Sequence, residues 1–117
     1  MDERILKWLY DIKMGIAEID SFFNEEQKDF FKYSNNLMLK RAVERNLEII
    51  GEAINRIITR DNSFTEKISN AKAIIGLRNQ VIHAYDNISD ESIWSILTNH
   101  LPKLKLEVDA LIKDNEK

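Results

Sequence analysis

Arg78-Asn79-Gln80-Val81-Ile82-His83-Ala84-Tyr85 places a permanent cation, a titratable imidazole and a phenol within eight residues. A guanidinium offers a planar fork of donors that grips phosphate oxygens. An imidazole exchanges a proton near neutral pH. A gripped phosphate and a mobile proton are, in principle, enough to cleave an RNA backbone without a metal. Asn79 adds a neutral polar neighbour, and Tyr85 is an exposed hydroxyl candidate. At about 100° per residue, Arg78 and Tyr85 share a helix face, while His83 lies about 140° from Arg78. The pair therefore works best at a helix end, where fraying at Ile82 or His83 frees the imidazole to turn toward the arginine. Asp86-Asn87-Ile88-Ser89-Asp90 follows, rich in residues that make turns and caps. The same eight residues also fit a helix-terminal histidine stabilised by the dipole, beside an arginine in a surface ion pair.

The elements that must hold these groups are helical. One proline and three scattered glycines in 117 residues leave few breakers, and the apolar period is helical almost throughout. A first helix is expected over 2–21, with Ile5, Trp8/Leu9, Ile12, Ile16, Ile19 and Phe23 recurring at three- and four-residue steps as its inner face. Asn24, with Gln27 as capping-box partner, opens a short helix over 25–33. The long helix, 36–60, carries the stripe Leu39, Val43, Leu47, Ile50, Ile54, Ile57 and Ile58. Its other side alternates in charge through Arg41, Glu44, Arg45, Glu48, Glu52, Arg56 and Arg60. That side is either a solvated, salt-laced surface or a polar wall lining a cleft. Ser63-Phe64-Thr65-Glu66 reads as a second capping box, starting the helix that delivers Arg78 and His83 near its C-terminal end. Ser89 caps a last helical region with its seam at Ile93, Leu97, Leu101, Leu104, Val108 and Leu111. Pro102 either bends that region or begins a new helix there. The result is an all-α, antiparallel up-and-down bundle of four to five helices, one domain over 1–117 with a frayed tail at 113–117.

The bulk numbers narrow the function. An apolar fraction of 44% supports a real core, so disorder is not the default. Without cysteine there is no disulfide scaffold and no thiolate zinc site, which is compatible with a reducing cytoplasm. Two histidines seventeen residues apart, with no ligand cluster around them, give little support for a metal. Gly15, Gly51 and Gly76 form no phosphate-cradling loop, and no cofactor is implied. No apolar run reaches the roughly 18 residues of a membrane span, and the charged start Met1-Asp2-Glu3-Arg4 is unlike a signal peptide. A soluble cytoplasmic protein is the reading. With a net charge of −3 the whole molecule does not attract nucleic acid, so any RNA must meet a local basic patch, or one shared by two subunits.

Three blocks in order resemble the HEPN superfamily, specifically its HepT-like (DUF86) branch. Gly76-Leu77-Arg78-Asn79-Gln80-Val81-Ile82-His83-Ala84-Tyr85 is similar to that branch's Arg-x4-His-x-Tyr catalytic signature. Ala42-Val43-Glu44-Arg45-Asn46-Leu47-Glu48-Ile49-Ile50-Gly51-Glu52-Ala53 looks like its signature on the preceding helix. Ile93-Trp94-Ser95-Ile96-Leu97 and Leu101-Pro102-Lys103-Leu104 look like its C-terminal helix, so the resemblance covers about 4–112. It implies a bundle that dimerises with the two motifs at a shared cleft, and a metal-independent endoribonuclease acting as the toxin of a toxin–antitoxin pair. The implied partner is a minimal nucleotidyltransferase antitoxin that silences the toxin by AMPylation of the motif tyrosine, here Tyr85. Arg78 and His83 are the implied catalytic pair, with Asn79 and Glu52 in support. The residue between His83 and Tyr85 is Ala84, where a larger or acidic residue is frequent in relatives.

Several residues have plainer readings. Trp8 and Trp94 fit core anchors better than base-stacking platforms. His100 reads as structural or exposed. Glu48 and Glu52 either face the cleft and tune His83 or form surface ion pairs. A non-enzymatic module, docking a nucleotidyltransferase or binding a nucleotide with Arg78 gripping phosphate, is the alternative to the ribonuclease.

Overall fold

The computed structural model describes residues 1–23, 28–83 and 89–116, with the side chains of 80–83 outside that description. The helices begin where a short polar side chain can take up orphan amides. The Asp2 carboxylate accepts from the amides of Arg4 (2.8 Å) and Ile5 (3.3 Å) and opens α1, Glu3–Phe22. Asp29 does the same for the short α2, Phe30–Ser34. The Asn36 side-chain oxygen accepts from the Leu39 amide at 3.0 Å and opens α3, Leu37–Arg60. Helix α4 runs Ala71–His83. Ser89 accepts from the Ser92 amide at 3.0 Å and opens α5, Asp90–Ser95.

Two starts differ from the sequence reading. The short helix begins at Phe30 rather than at 25, and the Asn24/Gln27 box lies outside the described residues. Ser63 does not open α4. Asp61, two residues earlier, accepts from both the Ser63 amide (3.0 Å) and its hydroxyl (2.7 Å), so the chain closes into a 3-10 turn, Asn62–Thr65. A competing acceptor has taken the Ser63 amide that Glu66 would accept from in a capping box. Ile68 and Phe64 are still buried, so the turn seals the core even though the helix waits until Ala71.

Pro102 falls in the first turn of a new helix, one of the two outcomes expected for it. Between α5 and α6, Leu101–Asn115, lies a single π turn, Ile96–His100, whose flanking residues Ser95, Ile96 and Leu101 all keep α backbone angles. The Leu101 amide bonds five residues back to Ile96. This widened turn precedes the proline, whose ring would otherwise crowd the carbonyl four residues before it.

The apolar stripes meet in one cluster, an all-α bundle with no strand among the described residues. Ile5, Leu9, Ile12, Ile16 and Ile19 of α1 face Val43, Leu47, Ile50, Ile54 and Ile57 of α3, all nearly inaccessible. Pairing of Asp2 with Arg60 at one end, and of Asn46 with Gly15 and Glu18 further along, makes α1 and α3 antiparallel. Asn46 is a buried polar residue, and its amide donates to the Gly15 carbonyl (3.2 Å) and to Glu18 (3.1 Å), so burial leaves its donors satisfied. Helix α4 crosses α3 on one flank and α6 packs on α1. A thickness of 19 Å corresponds to two helix layers.

Candidate active site

The crossing of α3 and α4 is set by Gly51. A Cβ built there would lie 2.6 Å from Arg78 Cβ and 3.3 Å from the Ile74 carbonyl oxygen. A glycine inside a helix costs about 1 kcal/mol relative to alanine. Here the missing side chain lets the base of Arg78 lie directly on the α3 backbone. The next residue, Glu52, then meets the Arg78 guanidinium in a close ion pair. The Asn79 side-chain oxygen accepts from a second guanidinium nitrogen at 2.8 Å. Arg78 Nε is buried with no partner among the described residues, where the guanidinium is held by its two outer nitrogens. Glu52 also accepts from Arg56 Nε at 3.0 Å, and so bridges two arginines.

Arg78 opens into a cleft of about 360 Å³ between α1, α3 and α4. Trp8 and Asp11 line it from α1, one helical turn apart, and Arg78 closes it from α4. The α3 wall is Arg45, Glu48, Ile49, Glu52, Ala53 and Arg56. The charge-alternating side of α3 is thus a cleft wall over this stretch. Three guanidiniums (Arg45, Arg56, Arg78) face three carboxylates (Asp11, Glu48, Glu52). Arg45 pairs with Glu48 at 3.3 Å, its side chain 66% exposed, and pairs of that kind are worth about 0–1 kcal/mol. The Arg78–Glu52 pair is more enclosed, with Arg78 at 22%, and is the firmer of the set.

The predicted site residues fall into two groups. Arg78, Asn79 and Glu52 come together as described. His83 is the last residue of α4, so the pair does stand near a helix end, with the backbone helical up to His83. Its backbone lies about 7.5 Å further along the axis than that of Arg78 and about 140° around it. The His83 side chain and the whole of Tyr85 lie outside the described residues. His100 is half-buried in the π turn with its Nδ1 unpartnered, away from the residues that line the cleft. Among the described residues no three His, Cys, Asp or Glu side chains converge as a metal site, and no helix is long and apolar enough to cross a membrane.

Sequence reasoning missed Gly51, Asp11 and Ile49, and read Trp8 as a core anchor, which it is on one side while it lines the cleft on the other. Gly51 carried a signal: a glycine deep in a long amphipathic helix, beside Glu52, marks a close approach. Trp8 carried none, since its spacing is that of its buried neighbours.

The sequence model of the family described as "Ribonuclease HepT-like" matches residues 12–111. The chain is 39% identical to "Putative RNase MJ1380" of Methanocaldococcus jannaschii over 95% of its own length and all of the relative's. A second protein of that organism, "Putative RNase MJ0125", is 33% identical over 99% of this chain and 98% of the relative. "Putative RNase TTE0752" of Caldanaerobacter subterraneus is 34% identical over 74% of this chain and 73% of the relative. No solved structure gives a significant match.

Proposed function

Because this chain belongs to the HepT-like ribonuclease family, we propose that it is a metal-independent endoribonuclease in which Arg78 and His83 act on one RNA phosphate. The supporting observation is the state of Arg78: a guanidinium fixed on two sides by Glu52 and Asn79, at the wall of an open cleft, one and a half turns from His83 on the same helix. A preorganised cation there stabilises the charge that builds on the phosphorane oxygens, without reorganising during the reaction. His83 takes the proton from the ribose 2′-OH, or gives one to the departing 5′-oxygen. The 2′-oxygen bonds to phosphorus as the 5′-oxygen leaves, giving a 2′,3′-cyclic phosphate and a 5′-hydroxyl. In a homodimer, two motifs at a shared cleft supply an acid and a base together.

In this reading the enzyme is the toxin of a toxin–antitoxin pair. A minimal nucleotidyltransferase antitoxin transfers AMP to Tyr85, adding bulk and negative charge that competes with RNA for Arg78. Cleavage of RNA in EDTA by the purified chain tests the activity. Arg78→Ala should lower it by about 10²–10³-fold, and His83→Ala should abolish it, each with the helical content intact. No cleavage by the unmodified protein, with binding of a nucleotidyltransferase or nucleotide instead, would select a non-enzymatic module. The equal numbers of cations and carboxylates in the cleft favour that second reading, since such a wall does not by itself attract RNA. Tyr85→Phe, co-expressed with the transferase, should remain toxic; silencing of that variant would remove the AMPylation step.

A further inference from the structure

The cleft does not end at Arg56. A second cavity of about 370 Å³ follows it along α3, lined by Trp8, Asn55, Arg56, Thr59 and Arg60. Trp8 and Arg56 belong to both, so the indole stands on the boundary between the two spaces. The second cavity differs from the first in kind. Among the described residues two guanidiniums line it and no carboxylate does, whereas the first is balanced. Arg56 and Arg60 are held from outside it, by Glu52 (3.0 Å) and Asp2 (2.8 Å), with side chains 56% and 42% exposed. Loose, exposed pairs of this sort exchange readily for a phosphate. Asn55 and Thr59 bring neutral donors and acceptors, the groups that read base edges. Trp8 is half-buried against the core, and among the described residues no aromatic ring packs on it.

On the ribonuclease reading above, we propose that Trp8 is a stacking platform for an unpaired base of the RNA strand. The base enters the second cavity while Arg56 and Arg60 take the phosphates that flank it. The strand then runs from Arg60 along α3 to Arg78 on α4, and the subsite adds binding energy to the strand whose other nucleotide meets the reaction centre. Every base has a π face, so this subsite favours single strands over duplexes and is tolerant of sequence.

The test uses the full chain and an unstructured oligoadenylate. With His83→Ala to prevent cutting and Trp94→Phe to leave Trp8 as the sole indole, the oligoadenylate should quench tryptophan fluorescence. Trp8→Leu, which keeps apolar packing but cannot stack, should raise KM for cleavage about tenfold with the loss confined to KM; Trp8→Phe should recover most of it. An unchanged KM in Trp8→Leu, or RNA binding without quenching, overturns the subsite. Quenching in the Trp94→Phe chain, with a parent chain that never cleaves, would keep the subsite and remove the ribonuclease reading. Cleavage without quenching would do the reverse.

Discussion

The two tryptophans stand in opposite kinds of surroundings, although each is half-buried and each is placed by a helix. Trp94 is enclosed by rings: Tyr33 at 5.5 Å, Phe30 at 5.6 Å and Phe23 at 6.2 Å between centroids. Those rings come from the end of α1, from α2 and from its N-cap side, so the cluster ties the irregular end of the bundle to α5. Trp8 has the core behind it and two cavities with charged walls in front. Aromatic pairs add about 0.5–1.5 kcal/mol each beyond the area they bury. Trp94 has those contacts already, whereas the outer face of Trp8 is left for a ligand. The same side chain therefore serves stability at one end and an open site at the other.

Truncating Trp94 is the largest expected effect. Trp94→Ala should cost about 3 kcal/mol, near the low end for a large aromatic because the ring is only half-buried. Thermal or denaturant unfolding measures it. Trp8→Leu should cost clearly less. Equal losses at the two positions would erase the distinction between them.

Gly51→Ala comes next. The new methyl would meet Arg78 Cβ and the Ile74 carbonyl, neither of which is the free end of a flexible chain. Overpacking of this kind costs about 1–3 kcal/mol, set against the roughly 1 kcal/mol that alanine gains in a helix. The variant should lose stability and cleavage together, because α4 must move away with Arg78 on it. Gly15→Ala is the control. There the obstacle is the buried Ile50 side chain, 2.9 Å away at its Cγ1, so stability should fall there too, but with Arg78 undisturbed and cleavage by the folded protein retained. A Gly51→Ala protein as stable and as active as its parent would break the claim that this glycine sets the arginine's position.

These contrasts also mark where the sequence was readable. Stripes repeating at three and four residues named the inner faces of α1 and α3, since burial follows helical period directly. Ser89 was readable as a cap because a cap needs only its own next three residues, whereas Asp2 and Asn36 were read only as helix starts and their capping bonds come from the structure. Ser63 was misread because Asp61 competes for the same donors, and pattern alone does not rank two acceptors. Arg78 and Glu52 were both singled out, but their pairing follows from how closely α4 crosses α3, which is a property of two helices and not of one. Trp8 and Trp94 were read alike because spacing says which way a residue faces and nothing about what stands opposite.

The enclosed end carries one flaw that sharpens the comparison. Tyr33 is fully buried with its hydroxyl unpartnered. Burial, with the negative charges of Glu44 and Asp90 nearby, holds the phenol well above its ordinary range, so it stays neutral. Removing an unpaired buried hydroxyl while keeping the ring is close to free. Tyr33→Phe should leave stability unchanged or raise it by up to about 1 kcal/mol. A loss of that size or more would show that the hydroxyl has a partner, such as an enclosed water, and that this end is less dry than its rings imply.

The smallest effect tests the open end, where stability and binding should move in opposite directions. The Arg60 guanidinium beside Asp2, together with the amides of Arg4 and Ile5, holds that carboxyl below its ordinary value of 3.8. A carboxyl whose folded pKa is depressed adds stability that is present above its unfolded value and disappears as pH falls through the folded one. Asp61, lowered mainly by the Ser63 hydroxyl, has the same sign and steepens the same acid limb. Asp2→Asn keeps a competent N-cap but gives up the charge. The melting temperatures of parent and variant should therefore differ most above the ordinary carboxyl value of 3.8 and converge as pH falls below it, and added salt should narrow the gap because the pair is exposed. The same change leaves Arg60 without its carboxylate at the edge of the second cavity. If a phosphate takes that place, the less stable variant should bind oligoadenylate more tightly than the parent at low salt. Weaker binding would mean that Arg60 needs Asp2 to hold it in reach of the strand, and that the ion pair belongs to the site as much as to the fold.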